Sequence, residues 1–184
     1  EAMQEYQVTI QRKTYPLEKQ FMVIATQLET GGEGTYPLTD VQMDRFLLRV
    51  MSSYSSKEEE NQIITEIDRI DEPEIHTVTT PDEIKELQKE VKAVYVSPDI
   101  VEYTSSIVHF LRADPDVLSG PSIRASIALY KCSRVLALLD GRDFVIPDDI
   151  KHLAQATIEH RIIVRSEAEM DEITPEMILT RVLE

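Results

Sequence analysis

The stretch Glu33-Gly34-Thr35-Tyr36-Pro37-Leu38-Thr39-Asp40-Val41-Gln42-Met43-Asp44-Arg45-Phe46 decides the interpretation of this chain. Thr39 and Gln42 have the spacing of a capping box, in which two side chains satisfy free amide groups at a helix start. Apolar runs at 21–26 and 47–51 flank the stretch, and such runs are typical of strands buried on both faces. We therefore predict a short helix between two strands.

The residues before this stretch predict a β-hairpin. Residues 7–10 alternate in polarity toward a polar corner, and residues 14–17 return, with Pro16 limiting the second arm to an edge position. A hairpin and two buried strands make a poor domain alone, because a sheet without its neighbours exposes its edges. We expect residues 1–51 to be the end of an incomplete α/β layer, and place the domain boundary at the polar connector that follows, so that 52–184 form the second unit.

The second unit is predicted to be a helical bundle. Several helix starts repeat one device, which combines a hydroxyl cap, a proline at the first helical position and carboxylates near the positive end of the helix. These starts are Thr80-Pro81, Ser97-Pro98 and Thr174-Pro175, and Pro147-Asp148 repeats the device without the hydroxyl.

Two further helices follow from caps alone. Ser56 and Glu59 predict a helix that runs to about Ile70. The longest helix is predicted from Pro121 to Leu139, stopped by Asp140-Gly141. Short β-branched segments remain unassigned, at 94–97 and 162–165, and 114–119 is not strand-like.

Composition excludes several classes of protein. A hydrophobic fraction of 42% with 29% charged residues is ordinary for a soluble globular protein of 184 residues. No apolar run approaches the ~20 residues that span a bilayer. A net charge of −15 argues against a nucleic-acid binder, because phosphate repels a surface of this sign. Cys132 is the only cysteine, so we expect no internal disulfide, a buried core position for its side chain, and a reducing cytoplasm.

Two arginines are candidates for chemistry. Arg45 ends the short predicted helix, although the helix dipole alone favours a cation there. Arg124 lies in the first turn of the long helix, where a cation opposes the dipole at a cost of about 0.3–1 kcal/mol. A phosphate in front of that turn would be attracted by both the free N–H groups and the guanidinium. Lys131 and Arg134 continue a stripe on the same side, which either faces phosphate or pairs with carboxylates of neighbouring helices.

Other catalytic patterns are missing from the sequence. It contains no G-x-x-x-x-G-K-[ST], and its glycines are at 31, 32, 34, 120 and 141. No apolar strand that ends in Asp-Glu precedes the hairpin. The histidines at 76, 109, 152 and 160 lack the spacing of a helical zinc pair, so we predict no metal site and expect surface or satisfied core histidines.

The stretch 33–46, together with Gly120-Pro121-Ser122-Ile123-Arg124-Ala125, resembles the C-terminal half of a MoxR-family AAA+ ATPase. Residues 7–17 are similar to the hairpin before the family's sensor-1 strand, and 136–149 and 160–169 look like its later lid. The resemblance implies an α/β plus all-α fold: the C-terminal remnant of a P-loop αβα core, then a helical lid domain. The phosphate loop and the Mg²⁺-binding carboxylates of the family would lie upstream of this chain.

The resemblance also implies roles for particular residues. Arg45 corresponds to the arginine finger, which reaches the γ-phosphate held by a neighbouring subunit, and Arg124 to the sensor-2 arginine of the lid. In the family, the sensor-1 strand ends in Ala-Thr-Gln-Asn-Pro, but here Leu28 follows Thr26 and Gln27. Leucine cannot hydrogen-bond. Either Thr26 or Gln27 replaces the missing amide, or hydrolysis is slow.

By resemblance, the intact protein is a cytoplasmic ring hexamer that uses ATP and Mg²⁺ and has a chaperone-like role. Its implied partners are proteins with von Willebrand A domains and client enzymes that need maturation; no cofactor is expected for this chain alone. The alternative is a non-enzymatic helical adaptor that has lost ATP chemistry. Leu28 and the absent phosphate loop favour the adaptor, whereas Arg45 and Arg124 favour the ATPase. A DNA-dependent helicase relative is disfavoured by the charge.

Overall fold

A computed structural model of the chain describes residues 1–18, 20–27 and 38–184. Its elements are α1 (Ala2–Glu5), β1 (Gln7–Ile10), β2 (Lys13–Pro16), α2 (Asp40–Met43), α3 (Lys57–Thr65), α4 (Ile67–Asp71), α5 (Pro81–Ala93), α6 (Pro98–Ala113), β3 (Val117–Ser119), α7 (Ile123–Leu139), α8 (Pro147–Ile158), a 3₁₀ turn (Glu159–Arg161), β4 (Ile163–Val164), α9 (Ser166–Met170) and α10 (Pro175–Leu183).

The hairpin and the short helix of the N-terminal part form as predicted. Strands β1 and β2 pair antiparallel, with Val8 opposite Tyr15. At the start of α2, the amide of Gln42 donates to Thr39 Oγ1, and the amide of Thr39 donates to Gln42 Oε1 at 2.9 Å. The glycine cluster expected to form a loop lies outside the described residues.

The two predicted strands that flank α2 are wrong. Residues 21–27 and 47–51 have no regular secondary structure. A strand exists through hydrogen bonds to a neighbouring strand, and neither segment has such a neighbour in the described part of the chain. Their apolar side chains are therefore exposed, as the 79% exposure of Ile24 and the 83% exposure of Val50 show.

Five of the six predicted helix starts of the second unit are confirmed. Helices α3, α5, α6 and α10 begin at their hydroxyl caps, and α8 begins at Pro147 without one. The helix predicted to run from the Ser56 cap to Ile70 is interrupted at Glu66. The run Ile63-Ile64-Thr65 explains the interruption, since β-branched residues are poor helix formers and the Thr65 hydroxyl bonds the Asn61 carbonyl at 2.8 Å.

The buried core of the molecule is built from residues 94–184, which we call the helical core. Helix α7 lies at its centre, and small side chains on its inner face allow close approach of α6 and α8. Cys132 is buried there, as predicted, and burial raises the pKa of its thiol. The buried residues of α7 are Ala125, Ala128, Leu129, Cys132, Ser133 and Ala137.

A small sheet fixes the start of α7. Strand β3 pairs with β4, with Val117 opposite Val164, so the prediction that 114–119 is not strand-like is wrong. Three residues are too few to show the periodicity of a strand. They form a strand because they pair with β4. Gly120 follows β3 where the backbone approaches Arg112 so closely that a Cβ would lie 2.9 Å from its Cα. Arg112 Nε also donates to the Pro121 carbonyl at 2.7 Å, and α7 begins at Ile123 rather than at Pro121.

No helix among the described residues is both long enough and apolar enough to cross a membrane.

Candidate functional site

The candidate site is centred on the carboxylate of Asp44, and Asp44 is the C-cap residue of α2. Its oxygens accept hydrogen bonds from Ser122 Oγ at 2.8 and 2.9 Å. They also form ion pairs with Arg124 Nη1 at 3.0 Å and with Arg161 Nε at 3.2 Å. We call Asp44, Ser122, Arg124 and Arg161 the Asp44 cluster. It joins the N-terminal part of the chain to the start of α7 and to the 3₁₀ turn.

Arg45 follows directly in the chain and is exposed. Its amide donates to the Gln42 carbonyl at 3.1 Å, which continues the last turn of α2. Its guanidinium contacts the side-chain oxygen of Gln4 in α1. The prediction that a single arginine lies at the end of this short helix is confirmed, and its charge is presented at the surface.

Arg124 lies in the first turn of α7, as predicted. Its amide donates to the capping hydroxyl of Ser122 at 3.1 Å, and 43% of its side chain remains exposed. The Asp44 carboxylate offsets the unfavourable interaction between this cation and the helix dipole. Only 18% of the Asp44 side chain is exposed, so the guanidinium of Arg124 is the member of the pair that faces solvent.

The two basic residues that follow Arg124 on the same side of α7 differ in exposure. Lys131 is exposed, whereas Arg134 is half-buried and places its guanidinium 5.4 Å from the centre of the Tyr130 ring. Such a cation–π contact is worth about 0.5–1 kcal/mol. Among the described residues, pairing with a carboxylate, one of the two expectations, is seen for Arg124 and not for Lys131 or Arg134.

Arg161 is the buried member of the cluster, with 2% of its side chain exposed. Its Nη2 donates to the carbonyl oxygens of Asp44 at 3.2 Å and Phe46 at 2.5 Å, and its Nη1 donates to the carbonyl of Thr157. Burial lowers the pKa of the Arg161 guanidinium, and the Asp44 carboxylate opposes that shift. The carbonyl oxygens supply hydrogen-bond partners for Nη1 and Nη2, whereas Nε lies within ion-pair distance of Asp44 but has no hydrogen bond of normal geometry among the described residues.

His160 lies beside Arg161 and differs from the prediction of a surface or satisfied core histidine. It is buried, with 9% exposure, and neither ring nitrogen has a hydrogen-bond partner of normal geometry among the described residues. Burial, followed by the positive charge of Arg161, lowers the pKa of His160 to about 4. The nearby Phe46 backbone and Asp44 act in the opposite direction but are weaker than burial. His160 is therefore neutral at pH 7.

The structure brings some of the predicted site residues together and leaves others apart. Arg124 binds Asp44, the residue next to Arg45, so the two candidate arginines lie in the same part of the fold. Thr26 and Gln27 are exposed, and no hydrogen bond or ion pair within the described ranges joins them to either arginine. Leu28 lies outside the described residues.

Sequence reasoning missed Asp44, Ser122 and Arg161. Asp44 and Ser122 stand next to recognised residues, but each is also an ordinary helix-end residue, so neither carries a signal alone. Arg161 offered a weak signal, because it is a charged residue between the apolar Ile158 and Ile162. A buried arginine of this kind requires partners, yet nothing in the sequence says where they lie.

The described residues contain no group of three or more His, Cys, Asp or Glu side chains that could hold a metal ion.

Comparisons with known proteins agree with this architecture. Residues 1–48 match the family model of the ATPase family associated with various cellular activities (AAA), and residues 109–182 match the AAA lid domain. The chain is 39% identical to the Uncharacterized protein YeaC of Bacillus subtilis and 34% identical to Chaperone MoxR1 of Mycobacterium tuberculosis. All of this chain is covered in both comparisons, but it spans only 58% and 51% of the two relatives.

A solved structure gives the same result. A crystal structure of a protein from Cytophaga hutchinsonii, provisionally assigned as an ATPase, superimposes with a TM-score of 0.90 at 33% identity. The match covers 99% of this chain and 58% of the other. The predicted fold class, the C-terminal portion of an AAA+ core followed by a helical lid, is confirmed, and AAA+ proteins of this kind use ATP and Mg²⁺ when intact. On the two family matches, the MoxR relative and this superposition, the chain belongs to the MoxR-like AAA+ ATPases.

Proposed function

We propose that this chain is the C-terminal part of an ATP-hydrolysing, MoxR-type AAA+ enzyme in which Arg45 is the arginine finger. The observation that carries the proposal is the presentation of Arg45: its side chain is exposed, while the backbone on each side of it is bonded to a buried residue of the helical core. A permanently charged, planar guanidinium suits the stabilisation of negative charge in phosphoryl transfer.

Arg124 is proposed as the sensor-2 arginine, which binds nucleotide phosphate from the lid. Its half-exposed guanidinium and the start of a long helix favour an anion at this position. The ion pair with Asp44 holds the Arg124 side chain in place, and the exposed part of its guanidinium can accept a phosphate from the solvent side. Either Thr26 or Gln27 is proposed to orient the attacking water in place of the amide that Leu28 cannot supply; otherwise hydrolysis is slow.

ATP supplies the γ-phosphoryl group that is transferred to water. The side chains that would bind it here are the guanidinium groups of Arg45 and Arg124, which match phosphate oxygens in charge and geometry. The phosphate loop and the Mg²⁺ carboxylates are not encoded in these 184 residues, so binding of Mg-ATP by this chain alone should be weak.

The remaining features follow from the family. Under this proposal, the intact protein is a cytoplasmic ring hexamer with a chaperone-like role, partners that carry von Willebrand A domains, and client enzymes that it matures. Residues 1–51 complete the ATPase core, and 52–184 form the lid domain with its connecting helices. The exposed apolar side chains of residues 21–26 and 47–51 support this division, because the rest of an ATPase core would cover them.

The finger assignment is tested in the full-length protein with its phosphate loop. Arg45→Ala should bind ATP and assemble normally but hydrolyse about 10³–10⁵-fold more slowly, since a finger acts mainly in the transition state. Mixing it with subunits disabled in the phosphate loop should restore part of the activity, because some intact loops then meet intact fingers. If subunits exchange and no activity returns, Arg45 does not act across a subunit boundary.

Arg124→Ala, as the matched arginine variant, should instead weaken nucleotide affinity. The non-enzymatic adaptor remains the competing function, and calorimetry decides between them. If the full-length protein binds Mg-ATP, but neither the wild type nor Arg45→Ala hydrolyses it, the adaptor is favoured.

A further inference from the structure

The backbone on both sides of Arg45 is held by one side chain of the helical core. Arg161 Nη2 donates to the carbonyl oxygen of Asp44 at 3.2 Å and to that of Phe46 at 2.5 Å. These two carbonyls precede and follow Arg45 in the chain. The contact therefore fixes the backbone position of Arg45, while the Arg45 guanidinium stays at the surface.

Helix α2 cannot supply this support by itself. It has four residues, and none of them is buried. A single helical turn is unstable in isolation, because nucleation is unfavourable and only long helices compensate for it. The orientation of Arg45 thus depends on what the end of α2 contacts, and Arg161 together with Ser122 and Arg124 provides those contacts.

A purely structural role accounts poorly for an arginine at this position. Burial of a guanidinium carries a large desolvation cost, and a well-packed apolar side chain often gives equal or greater stability. Arg161 places its hydrogen bonds on the carbonyls of Thr157, Asp44 and Phe46. Two of these three acceptors flank the candidate finger. Arg161 therefore holds the backbone of Arg45 in place, which an apolar side chain could not do.

We propose that Arg161 is a positioning residue for Arg45, an inference that rests on the assignment of Arg45 as the arginine finger. Through Arg161, the finger is attached to the helical core of its own subunit and moves with it. Rigid-body motion of the lid would then change the alignment of Arg45 at the neighbouring subunit's nucleotide. A displacement of about 1 Å in a positioned catalytic group can cost 10²-fold in rate.

The first test uses this chain. In Arg161→Met, the amides of Arg45 and Phe46, which donate to the carbonyls of Gln42 and Met43, should exchange with solvent about tenfold faster or more, because the turn opens locally. Buried amides of α7 should keep their protection. Arg165→Met is the matched control, since Arg165 Nε bonds the Pro115 carbonyl within the helical core at 3.0 Å. Unchanged exchange at both amides in Arg161→Met would overturn the proposal.

The second test is a double-variant cycle in the full-length protein. Arg161→Met should lower kcat about 10²-fold with little change in the KM for ATP. The double variant Arg45→Ala with Arg161→Met should be no slower than Arg45→Ala alone, because a residue that acts through Arg45 has nothing left to position. A further loss in the double variant would show that Arg161 acts on the fold generally, and would overturn the proposal.

The cycle separates this inference from the function it rests on. Normal kcat in Arg161→Met, with hydrolysis lost in Arg45→Ala, would overturn the positioning role and leave the finger. Normal hydrolysis in Arg45→Ala would overturn the finger and this inference together. If Arg161→Met does not fold, the same cycle is measured with Arg161→Lys, which keeps the buried charge but lacks the planar fork that spans both carbonyls.

Discussion

The helical core and the described residues before it differ in where their apolar side chains lie. From Val94 onward, apolar residues at helical spacing are buried around α7, and several have no exposed surface. Before Val94, no described residue is buried, although the segment contains apolar side chains such as Met22 and Tyr54. The comparison teaches that hydropathy alone does not decide burial; an apolar side chain is buried only where tertiary neighbours surround it.

The largest expected effect concerns a buried ion pair of the helical core. Asp149 is 3% exposed, and its oxygens bind Arg142 Nη2 at 2.6 Å and the Ile146 amide at 2.9 Å. Burial would raise the pKa of Asp149, but these contacts outweigh it and lower the pKa. Arg142→Met leaves the buried carboxylate with the Ile146 amide as its remaining partner, and it should reduce the free energy of unfolding more than the other variants described below, measured by urea titration.

The control for that experiment is Arg181→Met. Arg181 also pairs with two aspartates, Asp114 and Asp116, but half of its side chain is exposed. It should cost only about 0–1 kcal/mol. Equal losses of unfolding free energy in the two variants would contradict the view that burial of the ion pair determines how much stability is lost.

Isoleucine truncation tests the comparison directly. Ile150 has no exposed surface, whereas Ile24 is 79% exposed. Ile150→Ala should destabilise the chain by about 2–5 kcal/mol through lost burial and a residual cavity. Ile24→Ala should stay within about 0.5 kcal/mol of wild type, as for other exposed positions. A large loss for Ile24→Ala in this chain would show that residues 21–27 pack more tightly in solution.

His160 predicts a pH dependence that belongs to the helical core. Its pKa is lowered from 6.5 to about 4 in the folded protein, so the unfolded chain binds more protons between those values. Stability from this group is complete above pH 6.5 and falls as the pH drops toward 4, by at most about 3 kcal/mol. Urea titrations at pH 7 and pH 4.5 should show a smaller difference between the two pH values in His160→Gln than in wild type.

His152→Gln serves as its control, because His152 is exposed. It should keep the wild-type pH dependence. The same pH dependence in His160→Gln as in wild type would show that other groups cause it.

The smallest expected effect comes from two serine caps of the same chemistry. Ser97 Oγ accepts from the Ile100 amide at the start of α6, which contributes to the buried core, and Ser56 Oγ accepts from the Glu59 amide at the start of α3, which has no buried residue. Ser97→Ala should lower global stability by about 1 kcal/mol. Ser56→Ala should leave the global melt unchanged and only accelerate amide exchange within α3. A shift of the melt by Ser56→Ala would mean that α3 unfolds together with the core.

Features that depend on residues close in the sequence were predictable. The caps of α2, α5 and α10 follow from side chains three positions from the amides they bond, and the β1–β2 hairpin follows from a polar corner between alternating residues. The end of the long helix also follows from its sequence, since Gly141 adopts a φ of 72° that favours glycine. Part of the candidate site is of this kind, because Arg45 and Arg124 are recognised within short motifs.

The remaining features depend on residues far apart. The apolar runs at 21–26 and 47–51 indicate strands, but a strand requires a partner, and whether one is present is not a property of the run. The small strand β3 shows the reverse case, since three residues without a pattern form a strand because β4 lies beside them.

The sequence by itself determined the helix starts, the hairpin, the family and the two candidate arginines, because each depends on residue types at short, defined spacing. Only the tertiary structure decided that Asp44 bonds Ser122, 78 residues away, and that Arg161 bonds the carbonyl of Asp44, 117 residues away. It also decided that His160 is buried with no hydrogen bond of normal geometry to any residue that the structure describes. The physical reason is that short-range hydrogen bonds repeat wherever their residue types recur, whereas burial and long-range ion pairs exist only where the folded chain brings distant groups within a few ångströms.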